Sequence, residues 1–183
     1  MSGLYLPDCI DPYHEVVGTN FDTFTTKKDV SPLPLPVINA DVLRKGSKIL
    51  AKAYGEYSSL TGAALTMGFW FGTRASAITG DVALSSVITT GTTPAQWPWE
   101  MEWEGFCSLN GVAGTLNGHG TLRLGASLTT YNADVPIPIT VALRDVASFD
   151  TTIDRAIGVS ATWGASSASN RIKVNGLRVM VWN

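Results

Sequence analysis

Three glutamates, Glu100, Glu102 and Glu104, alternate along "WPWEMEWEG". On an extended backbone such residues share one face about 7 Å apart, from a rise of about 3.3 Å per residue. That separation suits the acid and base of a glycosidase. The acid of such a pair must also be taken out of water, so that it keeps its proton near neutral pH. The stretch supplies no such shelter. Trp99, Met101 and Trp103 take the apolar side, and the glutamates read as a solvated face. The other reactive groups are sparse. His119 lies in "NGHGT", which reads as a glycine-rich turn, and His14 lies near Asp11 and Cys9. Cys9, Asp11 and His14 are metal-ligating types, but no second cluster completes the four ligands that zinc takes. Neither G-x-S-x-G nor a phosphate loop is present. The sequence predicts no catalytic, cofactor or metal site, and a protein that is not an enzyme.

The elements that would position such groups are nearly all strands, because the apolar period is two. Ile49, Ala51, Ala53 and Tyr57 share a face, with Lys48, Lys52 and Glu56 opposite. Leu65, Met67, Phe69 and Phe71 form a second set. Trp99, Met101, Trp103, Cys107 and Leu109 form a third. Leu122 and Leu124 follow, then Ile139, Val141 and Leu143, then Ile157, Val159, Ala161 and Trp163. Val16 to Thr26 is β-branched and aromatic and suits a first strand. "SPLPLP" cannot lie inside a sheet, since proline lacks a ladder donor, and reads as an extended connection along an edge. "INADVLRKG" allows one or two helical turns. In the last strand the apolar parity changes across Asn175-Gly176, from Ile172 and Val174 to Leu177, Val179 and Val181. Either a β-bulge or a hairpin turn accounts for the change. Eight or nine strands without intervening helices predict an all-β fold, an antiparallel sandwich or barrel.

Composition narrows the partners. Apolar residues are 45% and charged residues 15%, with net charge −2. The cations are scattered, which argues against a nucleic-acid partner. No apolar run is long enough for a membrane-spanning helix. The first residues carry no basic, then apolar, secretion signal. Residues 1–14 hold Pro7 and Pro12 without periodicity and read as an extended arm, which Leu4, Tyr5 and Leu6 make suited to docking. Residues 15–183 form one domain. Among the six tryptophans, Trp97 and Trp99 flank Pro98, and Trp70 faces away from Leu65 and Phe69. Aromatics so placed are core, subunit interface or sugar-stacking platforms.

The run "LPVINADVLRKGSKILAKAYGEYSSLTGAALTMGFWFG" resembles a segment common in structural proteins of tailed bacteriophages. The matching residues are Ile38, Asn39, Ala40, Leu43, Gly46, Ser47, Ala53, Gly55, Tyr57, Ser58, Gly62 and Gly72. The end of the chain is similar too, through Asp150, Thr151, Thr152, Trp163, Ser166, Ala168, Ser169 and Asn170. The resemblance spans residues 15 to 183 and rests on fold motifs, with no catalytic signature. It implies a jelly roll of the tumour-necrosis-factor type that assembles as a homotrimer on the virion. The family's continuous closing strand favours a bulge at Asn175-Gly176.

On this resemblance the chain is expected to be a head decoration (cement) protein. It would be made in the host cytoplasm and bind the major capsid protein on the outer surface of the expanded head. Leu4, Tyr5 and Leu6 would dock the arm, and Trp70, Trp97 and Trp182 are trimer-interface candidates. Trp182 would line the threefold axis or plug the base of its own sandwich. The alternative is a tail-associated or fibre-head protein that binds a host surface glycan.

Overall fold

The computed structural model describes residues 20–60, 62–73, 96–125 and 149–183, with the strand backbone of 8–9, 82–89, 131–137 and 145–146. Regular structure among the described residues is all strand. Four two-residue strands come first: β1 (Asp8–Cys9), β2 (Phe21–Asp22), β3 (Lys28–Asp29) and β4 (Val37–Ile38). Then follow β5 (Lys48–Ser58), β6 (Ala64–Gly72), β7 (Val82–Thr89), β8 (Trp97–Leu109), β9 (Thr115–Gly125) and β10 (Tyr131–Ile137). The short β11 (Asp145–Val146) precedes β12 (Arg155–Trp163) and β13 (Arg171–Trp182).

The larger sheet runs β1-β13-β5-β8-β9-β10, with β2 also on β13 and β11 also on β9. The smaller runs β3-β12-β6-β7, with β4 also on β12. All these pairings are antiparallel. The alternation explains the stacking, because each sheet turns one apolar parity inward. From the large sheet come Ile49, Ala51, Ala53, Tyr57, Trp99, Met101, Trp103 and Cys107. From the small sheet come Leu65, Met67, Phe69, Phe71, Ile157, Val159, Ala161 and Trp163. All are buried. Phe71 stands edge-on to both Trp103 and Phe149, with centroids 5.6 Å apart in each pair. The result is an antiparallel β-sandwich.

Several local expectations are corrected. "NGHGT" is the middle of β9 and no turn. A Cβ on Gly118 would lie 2.5 Å from Trp103 Cζ2 and from the Glu104 carbonyl oxygen, so the glycine makes room for a core indole. "INADVLRKG" forms turns and no helix. It ends at Gly46, whose φ of 95° suits glycine, and whose N–H donates to the Cys107 carbonyl at 2.7 Å. Within residues 20–26 only Phe21–Asp22 is strand, and residues 16–19 lie outside the described residues. So do Ile139, Val141 and Leu143, and also Leu4, Tyr5 and Leu6.

The arm is partly joined to the sandwich: Asp8 pairs with Val181 and Cys9 with Met180. At Asn175-Gly176, β13 stays on β5 through a register shift between Val174 and Gly176, so the feature is a bulge. "SPLPLP" does run along an edge. It links β3 to β4, both of which pair with β12, and bends at a cis Leu33–Pro34 bond.

The motif residues near the C-terminal strands are structural. Thr151 Oγ1 accepts from Gly111 N–H at 2.8 Å and ties the 109–115 turn to residues 149–152. Asn170 is buried, accepts from Leu60 N–H at 3.0 Å and donates to the Ala165 carbonyl at 2.7 Å.

Candidate functional surface: the open face of the large sheet

The two outer faces of the sandwich differ. On the small sheet, Trp70 points outward as its parity demands, yet it is 1% exposed. The segment between β3 and β4 lies over it as a strap, packing Leu35 and Val37 against Trp70 and Ala156. Asp29 anchors the strap. Its Oδ1 accepts from Trp70 Nε1 at 3.2 Å, from Ser31 N–H at 2.9 Å and from Ser31 Oγ at 2.5 Å. Ser31 Oγ in turn accepts from Val159 N–H at 2.7 Å. Trp70 was an interface candidate, but its own chain covers it, so it has no free area to offer a second subunit.

The outer face of the large sheet carries no such strap among the described residues. Its rows follow from the register of β13, β5, β8 and β9. Trp182 lies beside Lys48 and Lys48 beside Phe106. In the next row Met180, Leu50, Glu104 and His119 lie abreast, and in the next Arg178, Lys52, Glu102 and Thr121. The row after that sets Gly176, Tyr54, Glu100 and Arg123 side by side.

This face has two halves of different chemistry. Leu50, Phe106, Met180 and Trp182 gather at one end, where Phe106 is 46% exposed and the others are partly exposed. Trp182, Lys48, Glu104, Gly46 and Asn183 line an open hollow of about 440 Å³. Asn183 is held there by Ser47 Oγ, which donates to its Oδ1 at 2.5 Å. The other half is polar. Lys52 Nζ meets Glu102 Oε2 at 2.6 Å and Arg123 meets Glu100 Oε1 at 2.8 Å, with all four side chains about half exposed. Tyr54 stands among them, 43% exposed.

The three tryptophans do not form one patch. Trp97 pairs with Tyr57, whereas Trp182 pairs with Lys48. Nine residues of β5 separate these rows, about 30 Å of strand. Trp97 is partly buried and packs on the core. Trp182 lies on the outer face, partly exposed, and is not the plug at the base of the sandwich that one expectation made it; its neighbour Val181 is the buried residue.

No family model, curated protein or solved structure matches this chain.

Reactive chemistry is sparse among the described residues. They contain no group of three or more His, Cys, Asp and Glu placed to hold a metal ion. Cys107 is buried, and burial pushes its thiol up despite a hydrogen bond from Sγ to the Leu109 carbonyl at 3.2 Å. A thiol held protonated is a poor nucleophile. Asp11 and His14 lie outside the described residues. Glu100 and Glu102 sit half-exposed in ion pairs, without the dry environment that a glycosidase acid requires.

Sequence reasoning missed Leu50, Lys52, Tyr54, Phe106, Arg123 and Met180 as members of one surface. Their outward parity could be read from each strand separately. The register that sets them abreast joins strands far apart in the chain, and no local pattern encodes it.

Proposed function

We propose that this chain is a tailed-bacteriophage head decoration (cement) protein. It adopts a jelly-roll sandwich, sits as a homotrimer on the outer surface of the expanded capsid, and performs no catalysis. It is made in the host cytoplasm and needs neither nucleic acid nor membrane as a partner. The reading begins from the resemblance of residues 15 to 183 to phage structural proteins. The observation that carries it is the contrast between the two outer faces. One is sealed by its own chain over Trp70, and the other leaves Leu50, Phe106, Met180 and Trp182 at the surface. An apolar end on an otherwise charged sheet is best satisfied by another copy packed around a closed axis.

The mechanism is mechanical. A trimer that bridges capsid subunits and fits only their expanded arrangement stabilises that arrangement by mass action. The arm extends the contact to the major capsid protein. β1 ties it beside Met180 and Val181, at the same end as Trp182, and Leu4, Tyr5 and Leu6 supply the apolar contacts. Burying one such side chain contributes about 1.5–3 kcal/mol before ordering costs.

The test uses expanded, undecorated heads of the phage that carries the gene. Intact protein is expected to saturate them. A variant lacking residues 1–7 keeps β1 and should keep its oligomeric state, but bind with much lower occupancy. Failure of the intact protein to bind heads would overturn the decoration role. Equal occupancy by both forms would remove the arm from it.

A further inference from the structure

The polar half of the open sheet face has the makings of a ligand site. Lys52, Tyr54, Glu100, Glu102, Thr121 and Arg123 surround a depression of about 320 Å³, within the size range of small-molecule sites. Its near row, Lys52, Glu102 and Thr121, lies two residues of β5 beyond Leu50, about 7 Å, and its far row, Tyr54, Glu100 and Arg123, about 13 Å.

We propose that this depression binds a neutral carbohydrate, with the ring of Tyr54 against a sugar face and Glu100, Glu102, Thr121 and Arg123 on its hydroxyls. Three observations select this class. First, the lining charges cancel. Lys52 is matched by Glu102 at 2.6 Å and Arg123 by Glu100 at 2.8 Å. An ionic ligand would have to displace a partner already in place. Second, the site is too polar for an apolar ligand but rich in both donors and acceptors. A carboxylate accepts about four hydrogen bonds, so one ion pair does not exhaust Glu100 or Glu102. Each ion pair also holds its side chains in position, which lowers the ordering cost of binding. A sugar hydroxyl both donates and accepts, and suits such a mixed lining. Third, Tyr54 offers an aromatic surface that is already positioned. Its ring packs over Gly176, where a Cβ would collide with Cε1 and Cζ, while the residue remains 43% exposed. An aromatic face beside polar groups matches the alternating C–H and O–H surfaces of a pyranose.

The experiment titrates the purified full-length protein with dextran and mannan as neutral probes and heparin as an anionic one. Affinity electrophoresis is followed by calorimetry, and a neutral-oligosaccharide array extends the panel. At least one neutral glycan is expected to bind, and heparin is not. Tyr54→Ala should weaken binding about tenfold, the scale of a lost stacking contact, and Tyr54→Phe should stay within about twofold. Glu100→Gln should weaken binding without changing the sedimentation coefficient. If Tyr54→Ala fails to fold, Tyr54→Trp decides: retained or tighter binding supports the site, and loss overturns it. Absence of binding to every neutral glycan, heparin binding alone, or unchanged affinity in Tyr54→Ala would each overturn the proposal. None of these readouts involves phage heads, so the result is independent of the decoration role.

Discussion

The ring of Tyr54 lies on the backbone of Gly176, and a side chain at position 176 would occupy the space of that ring. The two residues are register partners at the point where β13 shifts by a bulge. A Cβ at position 176 would therefore have to push the half-exposed Tyr54 ring aside. Gly176→Ala should destabilise the protein by about 1–3 kcal/mol, the usual cost of overpacking. A lower urea midpoint with an unchanged slope would record it. In a Tyr54→Ala background the same change should cost much less, because the colliding ring is gone.

Self-association should depend on the apolar end of the open face. At micromolar concentration, sedimentation should report about three times the 19.5 kDa chain mass. Trp182→Ser removes outward-facing apolar surface and leaves the buried Val181 in place. It should shift the population toward monomer while far-ultraviolet dichroism stays the same. A monomeric wild type would eliminate the trimer.

Replacing Glu100, Glu102 and Glu104 together by Gln should leave the fold nearly as stable as before. Two of them form half-exposed ion pairs, and such pairs contribute about 0–1 kcal/mol each. A loss in thermal unfolding several times larger would mean that the row is a structural network. Hydrolysis of a polysaccharide by the wild type, abolished in this variant, would mean that an active site had been overlooked.

Stability at high pH should report on Tyr57. Its hydroxyl donates to the Gly125 carbonyl at 2.7 Å, and burial pushes its pKa up to about 12. A group that holds its proton more tightly when folded stabilises the fold fully below its unfolded pKa, about 10 for tyrosine. That contribution is lost as pH rises through the folded value. Urea midpoints should therefore fall between about pH 10 and 12, and Tyr57→Phe should flatten that part of the decline. An identical decline in Tyr57→Phe would assign it to other groups.

Much of the sandwich was legible because alternation acts locally. The inward residues of β5, β6, β8, β12 and β13 match the parity written in their own sequences, except Leu109, which lies past a register shift at the end of β8 and is 50% exposed. What escaped is non-local. "NGHGT" has turn composition, but its glycines clear space for Trp103 on the neighbouring strand. Trp70 was correctly placed on the outer side of its strand, yet the strap that covers it is an apolar, proline-rich segment over 30 residues earlier in the chain. The open face emerged only when register set Tyr54 beside Glu100 and Met180 beside Leu50.

The position of β12 and β13 within the sheets also bears on the order of events during folding. β12 lies between the strap and β6, and β13 lies between the N-terminal strands and β5. Among the described residues, the four short strands between Asp8 and Ile38 thus pair only with strands that begin at Arg155 and Arg171. While the chain is being made, these early segments emerge long before their partners. Contacts of such long range place a protein among the slower folders, in the millisecond to second range. During that interval Trp70 lacks the docked strap, and the facing edges of β5 and β6 stand unpaired, a state in which neighbouring chains can associate wrongly. Synthesis rate and chaperone supply should consequently govern the yield of native protein more strongly than its final stability does.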